Sequence, residues 1–341
     1  MKKFSVGLPI QEKSGFFENV IKNKDRIKEV YFSWGGFKSG RSAQTENGQL
    51  PYWEAQQRFL ENLRLLHRHG IVFNLLFNAN CYGEESLARS FFYEIGDTIE
   101  YATKNFCVES VTTTSPLIAK FVKANFPSLK TRASVNMEIG TKEGMEYLFD
   151  YFDGFYLKRE LNKSLADIKR ARKYCDENGK ELYLLANSGC LNYCSAHNFH
   201  DNLVAHEKEI AKYDNAYLFD GVCTEFLKKR SEKFLERTNF VRPEDLPLVE
   251  EYFDGIKLAT RVNSNPNLVL DSYLRGKYSG SIPDLLEPNH SGLFYPKVIE
   301  NGKIPKEYFS KVLTCDKDCA TCGYCEEISK KSTIILEKEE C

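Results

Sequence analysis

The sequence predicts a parallel (β/α)8 barrel of the TIM type, with a long insertion after its seventh strand and a cysteine-rich C-terminal extension. Three observations carry this. Eight short runs rich in β-branched and aromatic residues recur, most of them followed by a helical pattern, and β-α alternation is the signature of a parallel sheet. Tyr151-Phe152-Asp153-Gly154 is echoed by Tyr252-Phe253-Asp254-Gly255, each at the opening of a strand. The echo is either favoured Asp-Gly turn chemistry or quasi-repetition of a barrel unit. No Gly-x-Gly-x-x-Gly or P-loop pattern supports the rival architecture, a doubly wound open sheet.

In chain order, the expected strands are Phe4–Leu8, Ile27–Trp34, Val72–Phe77, Val108–Thr112, Thr131–Val135, Gly154–Leu157, Glu181–Leu185 and Gly255–Ala259. A helix from Tyr52 to His69 places Ala55, Phe59, Leu63 and Leu66 on one face, and Gly70 stops it. A second helix starts at Ser164, with Asp167 three residues on as a capping-box variant. Arg242-Pro243-Glu244-Asp245 reads as another helix start, and Glu225, Lys228, Lys229 and Arg230 as a solvated helix face. The stretch from Gly189 to Phe253 interrupts the rhythm, at the end of a barrel strand where binding loops are built. At ~100–200 residues per domain, 341 residues divide into a barrel over 1–285, with its insertion at 189–253, and a module over 286–341.

Composition narrows the function classes. The 47 basic and 48 acidic residues leave a net charge of −1, so a nucleic-acid partner would need a local patch rather than a global field. No apolar run reaches the ~18–20 residues of a membrane span. The short N-terminal apolar stretch is followed at once by Gln11, Glu12 and Lys13, unlike a signal peptide. The expected compartment is the cytoplasm.

Eleven cysteines is an odd number, and seven fall in two groups, which points to metal before disulfides. Cys315, Cys319, Cys322 and Cys325 form a C-x3-C-x2-C-x2-C run. Structural zinc sites set two ligand pairs a dozen or more residues apart, whereas compact runs of four thiols wrap a [4Fe–4S] cluster. Iron–sulfur is the preferred reading of the quartet and zinc the alternative. Cys190 and Cys194 directly follow the seventh strand, and Cys223 lies in the same insertion. Three thiolates would leave one iron of a second [4Fe–4S] cluster open; the competing reading is three buried loop cysteines. Cys81, just beyond a strand end, is a candidate fourth ligand. Cys107 and Cys175 read as packing residues and Cys341 as a terminal thiol.

His197 and His200 follow Cys194 closely and share a face if the stretch is helical. Either suits cluster ligation or proton transfer near neutral pH, against a reading as hydrogen-bonded loop histidines. The barrel also places strand-end polar residues at its mouth: Asn78, Asn80, Thr113, Thr114, Asn136, Glu138, Lys158, Arg159, Glu160, Asn187, Lys257 and Arg261. Arg159 and Arg261 are candidates for holding an anionic substrate bidentately; a salt-bridged rim is the alternative.

The run Leu185-Ala186-Asn187-Ser188-Gly189-Cys190 with Cys194 and Cys223, the strand Asp254-Gly255-Ile256-Lys257-Leu258 leading to Arg261, and Leu157-Lys158-Arg159-Glu160-Leu161 together resemble the collagenase-like peptidases, family 32 of the unclassified peptidases. The resemblance covers roughly residues 70–265. It implies a barrel-like core and an oxygen-sensitive [4Fe–4S] cluster on Cys190, Cys194 and Cys223, in a family whose relatives take part in oxygen-independent hydroxylation. The resulting expectation is an iron–sulfur enzyme with two [4Fe–4S] clusters and His197, His200, Arg159, Glu160 and Arg261 around the reacting centre. Its partners would be a small-molecule or modified-macromolecule substrate, an electron donor and a paired subunit. The alternatives are a peptidase, sulfur transfer through an open iron, and a non-catalytic electron carrier.

Overall fold

The structure is a computed structural model that describes residues 4–9, 15–40 and 52–336; Cys341 lies outside them. Eight strands, β1 (Phe4–Gly7), β2 (Ile27–Ser33), β3 (Phe73–Phe77), β4 (Val108–Thr113), β5 (Lys130–Ala133), β6 (Gly154–Tyr156), β7 (Glu181–Leu185) and β8 (Gly255–Leu258), pair in parallel and in sequence order. β1 pairs with both β2 and β8, which closes the barrel. All eight expected strands form, with ends displaced by one or two residues.

Alternation along each strand divides the molecule into two interiors. Phe4, Val6, Val30, Phe32, Phe73, Leu75, Val111, Phe155, Leu182, Leu184, Ile256 and Leu258 point outward and join one apolar core with the helices. Those helices include α1 (Phe16–Lys22), α2 (Tyr52–Arg68), α3 (Arg89–Asn105), α4 (Pro116–Asn125), α5 (Lys142–Glu146) and α6 (Leu165–Glu177). The expected apolar face of α2 is buried through Ala55, Phe59, Leu63 and Leu66, and Gly70 takes a left-handed φ of +78° just beyond the helix. Ser164 caps α6, accepting from Asp167 N at 3.5 Å and donating to its carboxylate at 2.5 Å.

The inside of the barrel is polar. Ser5 donates to Glu29 at 2.9 Å, and the Arg132 guanidinium grips both Glu29 oxygens at 2.6 and 2.7 Å. Asn74 bonds Ser110 at 2.6 Å. Arg132 also lies 4.4 Å from the centre of the Tyr183 ring. A small separate apolar layer (Val135, Tyr156, Tyr183, Leu185 and Ala259) sits above this ion pair.

The repeated Asp-Gly dipeptide proves to be barrel quasi-repetition. A Cβ on Gly154 would lie 3.0 Å from the Tyr183 ring, and one on Gly255 2.9 Å from it. Both glycines therefore make room for one tyrosine between them. The preceding acids each bond a neighbouring strand: Asp153 accepts from Thr131 N at 2.9 Å, and Asp254 from Leu182 N at 2.8 Å. A further Asp-Gly dipeptide, in Phe219-Asp220-Gly221, lies in the insertion and opens no barrel strand.

The insertion carries helices at His197–Ala205, Glu207–Ile210, Val222–Lys229 and Phe234–Arg237. Glu225, Lys228, Lys229 and Arg230 are exposed on it, as expected. The expected helix start at Arg242 is a correction. The Arg242 guanidinium pairs with Asp245 at 2.5 and 2.8 Å, which closes a turn there, and only short 3-10 turns follow. After β8 the helix Pro266–Arg275 completes the ring. The C-terminal region adds helices Tyr308–Thr314, Cys319–Cys322 and Tyr324–Ser332 and an antiparallel pair, Lys297–Ile299 with Thr333–Ile335. Its Phe294, Ile299, Ile304, Phe309 and Ile328 are continuous with the outer apolar core.

Arg132→Met is expected to destabilise the fold by about 3–5 kcal/mol, because it leaves Glu29 charged and buried without its partner. Replacing Glu29 by Met as well should recover most of that loss. Urea denaturation of wild type, single and double variants measures both; a double variant no more stable than the single contradicts the assignment.

Candidate functional site

The C-terminal ends of the strands open into a mouth cleft. Arg159, Lys257 and Arg261 line it, with Glu287 as the acid among its walls. Each cation is fixed differently. Arg159 begins a short 3-10 segment, Arg159–Lys163, directly after β6, and donates to Asn136 Oδ1 at 2.5 Å. Arg261, three residues past β8, donates to Ser33 and to Ser39, the latter at 3.1 Å. Lys257 rises from β8 with its Nζ 4.1 Å from the Tyr31 ring centre and 5.3 Å from that of Tyr156. Burial, with the repulsion of Arg261 added, brings the Lys257 amine down to about 7 against the pull of Glu287.

His197 stands behind Arg159. The helix His197–Ala205 forms, so His197 and His200 do share a helical stretch. The His197 imidazole donates from Nδ1 to Glu138 at 2.6 Å and from Nε2 to Asp201 at 3.2 Å, with Arg159 Nη1 3.2 Å from Nε2. Burial opposes charge on this ring, but the Asp201 and Glu138 hydrogen bonds outweigh it and raise the imidazole to about 9. With both nitrogens donating to carboxylates, His197 is held in place by Glu138 and Asp201 beside the Arg159 guanidinium, which opposes its charge. His200 is half-buried and meets the Phe219 ring edge-on at 5.6 Å.

The cysteine loop grows from β7 by a close backbone approach. Asn187 bonds Ala259 O at 3.0 Å and Leu285 O at 2.8 Å, and Gly189 N donates to Glu287 O at 2.9 Å. His290 donates to Gly189 O at 2.9 Å and burial keeps it neutral. A Cβ on Gly189 would stand 2.3 Å from the Pro288 carbonyl oxygen. Cys190, Cys194 and Cys223 are partly buried. Burial pushes the Cys194 and Cys223 thiols up, and the charge of Cys190 adds to the shift of each. Glu160 accepts from Tyr193 N at 3.2 Å, inside the loop. Glu160, expected at the reacting centre, is buried and ties β6 to the cysteine loop through this bond.

The C-terminal quartet converges as well. Cys315, Cys319, Cys322 and Cys325 together line one open pocket, with Lys311 and Lys317 beside them. Lys317 Nζ donates to Lys163 O and Val312 O, both at 2.5 Å. Lys163 itself is buried, donating to Leu235 O at 3.1 Å and Thr238 O at 2.8 Å, and burial lowers it to about 8. A second cleft runs from Glu160 and Tyr193 at the first loop to Cys315, Cys319 and Cys325 of the quartet. Among the described residues, no three His, Cys, Asp or Glu side chains are placed to hold a single metal ion. Of the other cysteines, Cys81 accepts from Gly83 N at 3.4 Å, and Cys175 is a core residue whose thiol burial pushes up to about 12.

Backbone strain marks the same places. Three non-glycine residues among those described have positive φ: Glu138 beside His197, Tyr193 between Cys190 and Cys194, and Lys317 between Cys315 and Cys319. Such strain collects at functional sites. Glu287, Asp201 and Ser39 escaped sequence reasoning, because nothing local to them signals that distant loops bring them to the mouth.

Among solved structures, the chain is similar to a U32 peptidase at 16% identity, over 75% of this chain and 92% of that one, with a TM-score of 0.54. It overlaps less well with a Bacteroides thetaiotaomicron protein described as an α-L-fucosidase, at 12% identity over 81% and 95% of the two chains and a TM-score of 0.41. The first likeness shows a shared barrel fold. No protein-family model and no curated protein matches the chain.

Two outcomes are expected. The His197 imidazole is raised from ~6.5 in the unfolded chain to about 9. Its charge therefore stabilises fully below about pH 6.5, by about 3 kcal/mol at most, and that contribution disappears as pH rises through about 9. The stability gap between wild type and His197→Gln in urea should be larger near pH 6 than near pH 10; a constant gap contradicts the charged clamp. Gly189→Ala should cost about 1–3 kcal/mol through overpacking and displace the Cys190 loop. A thermal midpoint equal to wild type contradicts the close approach.

Proposed function

We propose that this chain is a barrel enzyme that binds an anionic substrate at its mouth and modifies it by iron–sulfur chemistry, with oxygen-independent hydroxylation the reaction the family resemblance favours. One observation carries the reading: the segment Arg159–Lys163 joins the cationic mouth to both thiol groups. Arg159 lines the mouth, Glu160 braces the Cys190–Cys194 loop, and Lys163 receives Lys317 from the quartet. A single zinc would need thiolates about 3.8 Å apart around Zn–S bonds of ~2.3 Å. A cubane instead takes one thiolate at each iron corner, which suits four thiols lining one pocket. In this reading Cys190, Cys194 and Cys223 would hold one [4Fe–4S] cluster and Cys315, Cys319, Cys322 and Cys325 the other, a reading supported by the C-x3-C-x2-C-x2-C spacing of the quartet. When bound, such a cluster supplies one-electron transfer or Lewis acidity.

The chain's own residues do the rest. Arg159 and Arg261 hold the anionic group, Asn136 fixes the Arg159 fork, and the cleft walls limit water. Burial pushes the Cys319 and Cys325 thiols up, against the pull of Lys317 on the first and of Lys163 on the second. An electron donor is required.

A second reading, a peptidase, rests on the name of the structural neighbour and on one local feature. A Cβ at Gly221 would sit 3.4 Å from Cys223 Sγ and 3.8 Å from His200 Cε1, which sets a thiol near an imidazole. Against it, burial raises the Cys223 thiol, the opposite of what a cysteine nucleophile needs.

Iron and sulfide content after anaerobic purification separates the two. The proposal expects about eight irons per chain at four per cluster, falling to about four in Cys190→Ser and again to about four in Cys319→Ser. Iron-free protein that cleaves peptides, and loses that activity in Cys223→Ala, would overturn it in favour of the peptidase.

A further inference from the structure

Lys257 has no task in the scheme above beyond adding positive charge, yet its setting is unusual for that. It faces into the closed sheet, packed over the rings of Tyr31 and Tyr156, and shares the mouth cleft with Arg159, Arg261 and Glu287. A lysine meant only to bind an anion gains from staying charged. This one is 8% exposed and has Arg261 and Arg159 near it as well as Glu287 and Glu29; burial and neighbouring cations are the two conditions that turn a lysine into an amine nucleophile. Its amine is correspondingly brought down to about 7, so a large fraction is uncharged at neutral pH.

We propose that the Lys257 Nζ is a covalent nucleophile that captures the carbonyl group of an anionic substrate as a Schiff base. The amine lone pair forms the C–N bond as the carbonyl π pair moves to oxygen, giving a carbinolamine. The carbonyl oxygen then leaves as water, carrying away both amine hydrogens, as the C=N bond forms. No electrons enter or leave, and no further reactant is needed. Glu287, the acid of the cleft, carries protons between nitrogen and oxygen. Arg159 and Arg261 hold the substrate's carboxylate or phosphate. The inference rests on the cationic mouth of the proposed function but not on either cluster.

The test is reductive trapping of the purified full-length protein with cyanoborohydride at neutral pH, where exposed lysines, with pKa ~10.4, are almost wholly protonated. Pyruvate and dihydroxyacetone phosphate serve as probes and dihydroxyacetone as the uncharged control, with peptide mass mapping to locate the adduct. The expected result is a reduced adduct at Lys257 at least about tenfold above any other lysine, weaker with the uncharged probe. Trapping by pyruvate assigns a carboxylate-bearing carbonyl and trapping by the phosphate a phosphate-bearing one. The adduct should vanish in Lys257→Arg, which keeps the positive charge, and in Lys257→Met. No adduct with either anionic probe, adducts spread evenly over the lysines, or equal trapping of the uncharged probe overturns the inference. Because the readout needs no iron, an adduct at Lys257 in iron-free protein supports the amine even where the cluster reading fails.

Discussion

A closed parallel sheet forces every strand to present one face to the helices and the other to its own interior. Here the outward positions are phenylalanine, valine, leucine and isoleucine, while the inward ones include Ser5, Glu29, Asn74, Ser110 and Arg132. A buried ion pair gives little net stability compared with an apolar filling, and its worth lies in geometry. The Glu29–Arg132 pair fixes strands β2 and β5 across the barrel and supports Tyr183 from below. Gly154 and Gly255 yield the space that ring requires. The mouth cations stand on top of this stack, which is why their positions do not depend on flexible loops alone.

The second organising element is five residues long. Arg159–Lys163 is buried at Arg159, Glu160, Asn162 and Lys163, and each of those side chains points to a different part of the molecule. Arg159 reaches Asn136. Asn162 bonds Leu185 O and Asn239 O, joining β7 to the insertion. Lys163 ties the insertion to the C-terminal region. Four polar anchors within five residues explain how the Cys190–Cys194 loop and the quartet, far apart in sequence, come to border one cleft. They also make a tight sequence of couplings, so that movement of the C-terminal region would be felt at the mouth.

The architecture was legible because period-two alternation and β-branched runs are local signals, and all eight strands followed from them. The polar ends of those strands were legible for the same reason, so Arg159, Lys257 and Arg261 could be named before their partners. What stayed hidden depends on contacts between distant segments. Nothing near Gly154 or Gly255 reveals that both face Tyr183. Glu287 reaches the mouth only because Gly189 lets two backbones meet. His197 looked like a cluster ligand or proton carrier from its place after Cys194, whereas Glu138 and Asp201 occupy its two nitrogens. The apparent helix start at Arg242 failed because its guanidinium takes the Asp245 carboxylate into a buried pair.

The central claim is that sulfur atoms from the insertion and from the C-terminal region hold iron on either side of the Arg159–Lys163 segment. Anomalous scattering at the iron edge, recorded from crystals of anaerobically prepared protein, tests it most directly. The account predicts two iron peaks, one in contact with Cys190, Cys194 and Cys223 and the other with Cys315, Cys319, Cys322 and Cys325. An empty difference map at both thiol groups, or a lone zinc ion in place of either cluster, would contradict it.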